Sequence, residues 1–318
     1  MKYNDYNIQL TLDNDGKVIP EQNKINYGEI DYSLDFLSSK FKSSKGVNSS
    51  VFVVKKVDEE DKIIKISNYY KPTRNSSKKI KRRFGRFIVE IDALYRAKEN
   101  QFDNIVEILF DGSIEIDGFQ FPYYVMEKAD TDLKECLLFI SEFDLQEKFN
   151  LCLNIFNAIK QLHSLDIYHR DIKPDNIFMF DLSGEELKEK KYLWKIGDLG
   201  LISERHKDYD DLGERIGPFG WISPEAMNKY LAEKANLGHD CKIDDKSDIF
   251  QLGELFWFIF QLNSPIGQIY NDDFFCEAEN SDDFFKLVKS MLSHKKEKRI
   301  SLKQVEKKLT ELQSGFGY

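Results

Sequence analysis

Two carboxylates and one carboxamide lie at spacings that suit phosphoryl transfer. Asp171 and Asn176 are five residues apart in the segment Tyr168–Asn176, which leaves a predicted helix and enters the predicted strand Ile177–Phe180. Asp198 follows 22 residues after Asn176, at the end of an apolar strand. Phosphoryl transfer needs one carboxylate near the accepting hydroxyl and oxygen ligands for Mg²⁺. The pattern therefore predicts a centre for this chemistry.

The elements that would position these residues fall into a small β-rich part and a larger helical part. Alternating apolar residues predict two antiparallel strands over 50–54 and 62–66, and a hairpin over 105–126. Apolar residues at helical spacing predict an amphipathic helix over about 78–99. Residues 1–36 are polar and are predicted to form an extension with a small hairpin outside the main body. After Glu127 predicted helices dominate, over about 131–140, 144–164, 246–262, 282–293 and 301–313.

Composition excludes several classes of protein. The 318 residues are 41% hydrophobic and 14% aromatic, which predicts a folded chain and not a disordered one. A net charge of −9 disfavours nucleic-acid binding by the whole surface. Four widely spaced cysteines predict neither a disulfide framework nor a zinc site. No apolar signal region is seen, and the stretch Ile249–Leu262 is too short and too interrupted to span a membrane, so a soluble, cytoplasmic protein is expected.

Several motifs in order resemble those of the eukaryotic-type protein kinase family, with a likeness to its serine/threonine kinases. His169–Asn176 matches H-R-D-x-K-x-x-x-N, and Asp198-Leu199-Gly200 stands where the family usually has Asp-Phe-Gly. Glu225, in Ser-Pro-Glu, and Arg299 match a glutamate and an arginine that pair in the family. The resemblance runs from about residue 40 to 313.

The resemblance implies an α+β, two-lobed protein kinase fold. The small N-terminal lobe would hold a five-stranded antiparallel sheet plus one helix, and the larger C-terminal lobe would be mostly helical. The expected boundaries are an extension over 1–36, an N-lobe over 37–127 and a C-lobe over 128–318, with one kinase domain over about 37–314.

The resemblance identifies His169–Asn176 as the catalytic loop and implies a role for its polar residues and for Asp198. Asp171 would accept or orient the proton of the substrate hydroxyl, and Lys173 would neutralise the transferring phosphoryl group. Asn176 and Asp198 would hold Mg²⁺, with Mn²⁺ as an alternative. None of these positions is substituted, which favours an active enzyme that uses ATP on protein substrates.

In the small lobe, the resemblance assigns Lys65 to the α and β phosphates of ATP and Glu90 as the ion-pair partner of that lysine. Glu90 is preferred over Asp92 and Glu99 because apolar residues flank it one turn away on either side. The glycine-rich loop matches poorly, since only its central glycine survives, so ATP is expected to bind either less tightly or with a more mobile loop. The full set of nucleotide contacts implied is Gly46, Val51, Ile63, Lys65, Met126, Glu127, Ala129 and Phe178.

Three alternatives to a serine/threonine kinase stay open. Lys173 is typical of serine/threonine kinases, whereas Pro218 and Trp221 match the Pro-x-x-Trp pattern of tyrosine kinases, so tyrosine or dual specificity is an alternative. A pseudokinase scaffold would fit the degenerate glycine-rich loop. A small-molecule phosphotransferase is disfavoured because its relatives typically lack the glutamate and arginine found here at Glu225 and Arg299.

Two charged segments predict regulation. In the family Arg170 meets a phosphate of the activation loop, and here Asp208, Asp210 and Asp211 could pair with it instead, with phosphorylation of Ser203 or Tyr209 adding to the effect. The run Lys78–Arg86 puts six positive charges at the start of the helix that carries Glu90, which predicts a possible docking site for an acidic partner.

Overall fold

The protein is described by a computed structural model over residues 1–37, 48–138, 143–183, 191–204, 210, 213–217, 220–232, 239–265 and 267–317. The chain divides into two compact units. The β-rich unit comprises residues 1–100 and 106–128, and the helical unit comprises residues 101–105 and 129–318. The predicted α+β class is confirmed, with a β-sheet part followed by several helices.

An antiparallel sheet of six strands forms the centre of the β-rich unit, one more than the five predicted. Its spatial order is β3-β4-β5-β6-β8-β7. A separate two-stranded hairpin consists of β1, Lys2–Asn4, and β2, Asn7–Gln9. The strands of the sheet are β3, Lys24–Tyr27; β4, Ile30–Asp35; β5, Ser49–Lys55; β6, Lys62–Ser67; β7, Ile108–Ile116; and β8, Phe119–Met126.

The predicted extension over 1–36 does not lie outside the main body, because β3 and β4 are strands of this sheet. β4 pairs with β5 through Leu34 and Val54, and β3 pairs with β4 to add the sixth strand. The hairpin and the strands of this segment bury apolar side chains on one face of the sheet. That cluster contains Ile8, Leu10, Ile25, Tyr32 and Leu34 with Phe52, Val54, Ile64, Ile66, Phe121 and Val125.

One long helix, α1 (Lys78–Glu99), has the bounds that the apolar spacing predicts. Ser77 caps its first turn, since the side chain of Ser77 accepts a hydrogen bond from the amide of Ile80. Phe87, Ile91 and Leu94 are buried on one face, and Glu90 lies among them with 1% of its surface exposed. The helix therefore packs by its apolar stripe and carries one acidic residue inward.

The helical unit is built on α4, which is buried almost all round. Its residues from Ser247 to Ile259 are buried, including the polar residues Asp248, Gln251 and Glu254. Asp244 and Ser247 form a capping box at its start. The elements of this unit are β9, Thr131–Asp132; α2, Leu145–Ser164; β10, Ile167–Tyr168; β11, Ile177–Asp181; β12, Tyr192–Ile196; β13, Ser203–Glu204; α3, Pro224–Leu231; α4, Asp245–Gln261; α5, Ser281–Met291; and α6, Leu302–Leu312.

The helix predicted over 131–140 is wrong. Residues Thr131–Asp132 form β9 and pair with β11, and Glu135–Leu138 form a short 3₁₀ helix. The strand conformation of β9 depends on its pairing with β11, which is distant in the chain, so the local sequence alone does not predict it. Among the described residues, no helix is both long and apolar enough to cross a membrane.

Candidate active site

A buried ion pair joins Lys65 and Glu90 in the β-rich unit. The Nζ of Lys65 lies 2.7 Å from Oε1 of Glu90, and the two side chains are 8% and 1% exposed. The hydroxyl of Tyr124 donates a second hydrogen bond, of 2.9 Å, to the same oxygen. Breaking a buried pair leaves an uncompensated charge, which is costly. Glu90, and not Asp92 or Glu99, is thus the acid that meets Lys65.

The register of the sheet gathers the predicted nucleotide contacts of this unit on one face. Val51 lies opposite Lys65, and Ile63 lies opposite Met126. Residues two apart on a strand, and residues directly opposite on neighbouring strands, share a face. Val51, Ile63, Lys65 and Met126 therefore share the face opposite the N-terminal apolar cluster. Gly46, the predicted glycine of the phosphate loop, lies outside the described residues.

Glu127 follows the last residue of β8 and is bound twice to Glu107. The amide of Glu127 donates to the carbonyl oxygen of Glu107 at 3.1 Å, and its side-chain Oε1 accepts from the amide of Glu107 at 2.7 Å. This pairing fixes the end of the strand where nucleotide contacts were predicted. The other two predicted nucleotide contacts, Ala129 and Phe178, lie in the helical unit. Ala129 precedes Asp130, whose amide donates a hydrogen bond to the carbonyl of Met179 on β11. Phe178 lies on the same strand, two residues after Asn176.

The catalytic loop of the helical unit holds Asp171 by one of its two carboxylate oxygens. Oδ2 accepts hydrogen bonds from Nζ of Lys173 at 2.8 Å and from Nδ2 of Asn176 at 2.9 Å. Nδ2 of Asn176 also donates to the backbone carbonyl of Asp171 at 2.8 Å. Within the described parts of the chain, Oδ1 of Asp171 is buried and has no hydrogen-bond partner. One oxygen is therefore fixed, and the other is left without a donor from the described residues.

Burial raises the pKa of Asp171, the nearby Lys173 lowers it, and the negative charge of Asp198 raises it again; the net pKa lies above its usual value. A carboxylate with a raised pKa accepts a proton more readily than an ordinary one. The electrostatics of the loop thus suit a proton acceptor.

Asp248 of α4 holds the backbone of this loop. Its carboxylate accepts the amides of His169 and Arg170, each at 2.8 Å, and lies 2.8 Å from Nε2 of His163. Arg170 has a left-handed backbone with φ of 66°. A non-glycine residue adopts this conformation only at a cost, so the fixed amides stabilise it.

The ring of His169 links the catalytic loop to the segment that carries Asp198. Its Nδ1 accepts the amide of Asp171 at 3.2 Å, so the proton of the neutral ring lies on Nε2, which donates to the carbonyl of Gly197 at 3.2 Å. Burial lowers the pKa of His169, which keeps the ring neutral. The amide of Gly197 in turn donates to the carbonyl of Asn176 at 3.0 Å.

Asn176 and Asp198 offer the oxygen atoms that Mg²⁺ prefers. Asp198 is exposed and has a left-handed backbone, with φ of 54°, and its charge acts on the buried Asp171. Because both amide hydrogens of Asn176 are directed at Asp171, its carbonyl oxygen is left as a ligand. Among the described residues, no group of three or more His, Cys, Asp or Glu side chains could hold a metal by itself. A cation here would need oxygens of the substrate as well, as in phosphoryl transfer.

Asp210 occupies a buried position between two cations. It bonds Arg170 through both oxygens, with Nη1–Oδ2 at 2.5 Å and Nη2–Oδ1 at 3.1 Å, and Nζ of Lys229 lies 3.0 Å from Oδ2. Of the acids predicted to pair with Arg170, Asp210 is therefore one that does; Asp208 and Asp211 lie outside the described residues, as does Tyr209. Ser203, predicted as a phosphorylation site, is 4% exposed and lies on β13, opposite Tyr168.

Glu225 and Arg299 meet as the resemblance implied. Their two hydrogen bonds measure 2.8 and 3.2 Å, and the hydroxyl of Ser247 donates a third bond to Glu225 at 2.6 Å. Arg299 also lies over the ring of Phe250, 5.0 Å from its centroid. This buried network ties the start of α3 to α4 and to the segment before α6.

Several polar residues of these networks, among them Tyr124, Lys229 and Gln251, were not assigned from the sequence. Tyr124 bonds Glu90, Lys229 bonds Asp210, and the amide of Gln251 on α4 bonds the backbone of the catalytic loop. The one available signal was chemical: Gln251 interrupts an otherwise apolar stretch, which is unusual for a buried helix. Lys229 and Tyr124 lie in segments with no such signal.

Comparison with known proteins agrees with this geometry. A family model described as "Protein kinase domain" matches residues 44–309. The serine/threonine-protein kinase cds1 of Schizosaccharomyces pombe is 27% identical over 193 residues, 56% of this chain and 39% of the relative. The interferon-induced, double-stranded RNA-activated protein kinase of Rattus norvegicus is 30% identical over 186 residues, 52% of this chain and 31% of the relative. The dual specificity protein kinase TTK of Mus musculus is 23% identical over 154 residues, 48% of this chain and 17% of the relative.

The chain thus spans less than two fifths of the length of each of these relatives. The family model, by contrast, covers most of the chain and includes the ion pair of Lys65 with Glu90, the catalytic loop and the segment of Asp198. On this match and on the arrangement of those residues, the chain belongs to the protein kinase family.

Proposed function

We propose that the protein transfers the γ-phosphoryl group of ATP to serine and threonine hydroxyls of proteins in a Mg²⁺-dependent reaction. The observation that carries the proposal is the state of Asp171, with Oδ2 fixed by Lys173 and Asn176 and Oδ1 buried without a hydrogen-bond partner among the described residues. A substrate hydroxyl would supply that missing partner. The family match supports protein phosphorylation in general.

Each residue has a separate task in this reaction. Oδ1 of Asp171 accepts the hydrogen bond of the substrate hydroxyl and orients its oxygen towards the phosphorus atom. Lys173, already 2.8 Å from Asp171, supplies positive charge to the phosphoryl oxygens as the bond to the leaving group breaks. Lys65, held by Glu90, binds the α and β phosphates. Asn176 and Asp198 would hold Mg²⁺, which supplies positive charge to the phosphate oxygens.

Lys173 supports serine and threonine as acceptors, because a lysine two residues after the catalytic aspartate is the arrangement of the serine/threonine kinases that this loop resembles. Tyrosine or dual specificity is the second candidate. Trp221 packs edge-on against Phe258, with ring centroids 5.3 Å apart, whereas Pro218 lies outside the described residues. One of the relatives is named as a dual specificity kinase, which supports dual specificity as the second candidate.

Phosphosite mapping tests the proposal. The protein is incubated with MgATP and myelin basic protein, and phosphorylated residues are identified by mass spectrometry in both proteins. We expect phosphoserine and phosphothreonine on the substrate, and autophosphorylation at exposed hydroxyls but not at Ser203, which is 4% exposed. Phosphotyrosine alone would contradict the serine/threonine assignment. ATP binding without any transfer would instead indicate a scaffold, and transfer confined to aminoglycosides or choline would indicate a small-molecule phosphotransferase.

We further propose that the start of α1 docks an acidic segment of a partner. Lys78, Lys79 and Lys81 are exposed in its first turns, which contain no acidic residue, and the helix dipole adds positive potential there. Nζ of Lys79 also lies 4.8 Å from the centroid of the Tyr6 ring. The later members of the predicted run differ, because Arg86 is buried. An acidic partner would therefore meet the three lysines.

Replacing Lys78, Lys79 and Lys81 together by glutamine should weaken binding of a poly-glutamate peptide severalfold at low ionic strength, measured by fluorescence anisotropy. Salt should weaken wild-type binding in the same way. The matched control replaces three exposed lysines of α6, Lys303, Lys307 and Lys308, by glutamine and should bind like wild type. Equal loss in both triple variants would indicate a non-specific charge effect and contradict docking at α1.

A further inference from the structure

The amide of Gln251 lies between the catalytic loop and the segment that leads into α3. This side chain belongs to the buried helix α4, and 3% of the residue is exposed. Its Oε1 accepts the amide of Ile172 at 3.2 Å, and its Nε2 donates to the carbonyls of Arg170 at 3.2 Å and of Trp221 at 2.7 Å. One side chain therefore bonds three backbone groups of two separate segments.

Two of these bonds bracket the catalytic carboxylate. Arg170 and Ile172 are the neighbours of Asp171 in the chain, and Gln251 holds a carbonyl on one side of it and an amide on the other. Asp248, one turn earlier on α4, holds only amides that precede Asp171. The backbone on the C-terminal side of Asp171 is thus fixed to α4 through Gln251.

The third bond reaches a different segment, in which Gly217 has a left-handed backbone. Gly217 has φ of 90°, and a Cβ placed on it would lie 3.4 Å from both Nε2 of Gln251 and the carbonyl oxygen of Arg170. A residue with a side chain would be strained there by its backbone conformation. Gly217 and Trp221 therefore lie against the catalytic loop, with the amide of Gln251 as a shared anchor.

We propose that Gln251 is a positioning residue that fixes the backbone at Trp221 relative to Asp171, and so orients the protein substrate for transfer. This inference rests on the proposed function. An amide is needed, because the two carbonyls require a donor and Ile172 requires an acceptor. Glutamate would keep the size of the side chain and the acceptor but would direct a negative oxygen at two carbonyls. Methionine would keep the approximate volume and remove all three bonds.

Steady-state kinetics of Gln251→Glu and Gln251→Met test the proposal. We expect kcat/KM for a peptide substrate to fall about 10- to 100-fold, because buried carbonyls and an amide lose their partners beside the reacting group. KM for ATP should stay within about twofold of the wild-type value, because the bonds of Gln251 hold the backbone beside Asp171, which acts on the acceptor hydroxyl and not on ATP. Two variants are used so that the result does not depend on the folding of one of them.

Gln261→Glu is the matched control. Gln261 ends the same helix and uses its amide in the same way, with Oε1 accepting the amide of Phe275 at 3.1 Å and Nε2 donating to the carbonyl of Phe275 at 3.0 Å. It should lower thermal stability less than the Gln251 variants, because its bonds are exposed to water, and it should leave peptide kinetics unchanged. Unchanged kcat and peptide KM in both Gln251 variants, with the wild type active, would overturn the inference.

Hydrogen exchange separates this outcome from failure of the proposed function. If the wild type transfers no phosphate to any peptide, the proposed function fails, and exchange still tests the role of Gln251. The amide of Ile172 and the amides of residues 220–222 should then exchange faster in both Gln251 variants than in wild type or Gln261→Glu. If only Ile172 responds, or neither segment responds, Gln251 does not couple the two segments.

Discussion

Replacement of Asp171 by asparagine is expected to lower the rate of phosphoryl transfer by about 10²- to 10⁴-fold, the usual contribution of a positioned acid or base. Asparagine keeps the size of the side chain and still accepts a bond from Lys173 through its oxygen. It cannot take up the hydroxyl proton, and its NH₂ group competes for the position of Oδ1. The measurement is single-turnover transfer to a peptide, with nucleotide affinity determined separately.

Asp175→Asn provides the control in the same loop. Asp175 carries the same charge, but its side chain is 45% exposed and pairs with the exposed Lys134 at 2.7 Å. This variant should retain most of the transfer rate, because exposed ion pairs contribute little. Transfer at the wild-type rate by Asp171→Asn, or an equal loss in both variants, would contradict the role assigned to Asp171. Loss of nucleotide binding in Asp171→Asn would indicate a structural effect.

The parts of the site that could be predicted from the sequence are those in which neighbouring residues act together. Asp171, Lys173 and Asn176 lie within six residues, so their contacts follow from one loop. Glu90 could be chosen over Asp92 and Glu99 because its flanking residues are apolar, and apolar flanks imply burial. In both cases a local pattern carries the information.

The parts that could not be predicted depend on contacts between distant segments. Residues 1–36 appear polar, yet their few apolar side chains cover one face of the sheet, and β3 and β4 extend it. The helix predicted over 131–140 does not form at its start, because Thr131 and Asp132 pair as a strand with Met179 and Phe178 of β11. Lys229 is similar to any lysine on a helix until Asp210, 19 residues earlier, is brought against it.

Asp210→Asn is expected to destabilise the helical unit strongly. Arg170, Lys229 and Asp210 are all buried, and the side chain of Asp210 is 0% exposed. Removing one member of a buried charged network costs about 3–5 kcal/mol, because the remaining charges stay buried without compensation. Here two cations would lose one carboxylate. The measurement is urea unfolding followed by tryptophan fluorescence, and Asp283→Asn, which removes an exposed acid paired with Lys286, should unfold close to wild type.

The expected pH dependence follows from the same contacts. Burial alone would raise the pKa of Asp210, but Arg170 and Lys229 outweigh it and hold that pKa far below its usual value. A depressed pKa in the folded state stabilises the fold above the unfolded pKa of about 3.9, and this stabilisation is lost as the pH falls through the folded pKa. The difference between wild type and Asp210→Asn should thus be constant from pH 6 to 8 and shrink only in strong acid. A difference that disappeared near neutral pH would contradict an ionised Asp210.

The consequence for regulation is that the chain supplies its own anion to Arg170. In the family this arginine meets a phosphate, and a carboxylate bonded through both oxygens satisfies the same guanidinium without phosphorylation. Wild-type protein treated with phosphatase should therefore keep most of its transfer activity, whereas Asp210→Asn should lose most of it and Asp210→Glu should retain part. If phosphatase treatment abolished the activity of the wild type, a phosphate elsewhere would be required and Asp210 would have only a structural role.

Lys229 adds a second cation to the same carboxylate oxygen of Asp210. Lys229→Met should reduce activity less than Asp210→Asn, because it removes one partner of Asp210 and leaves the bond to Arg170 in place.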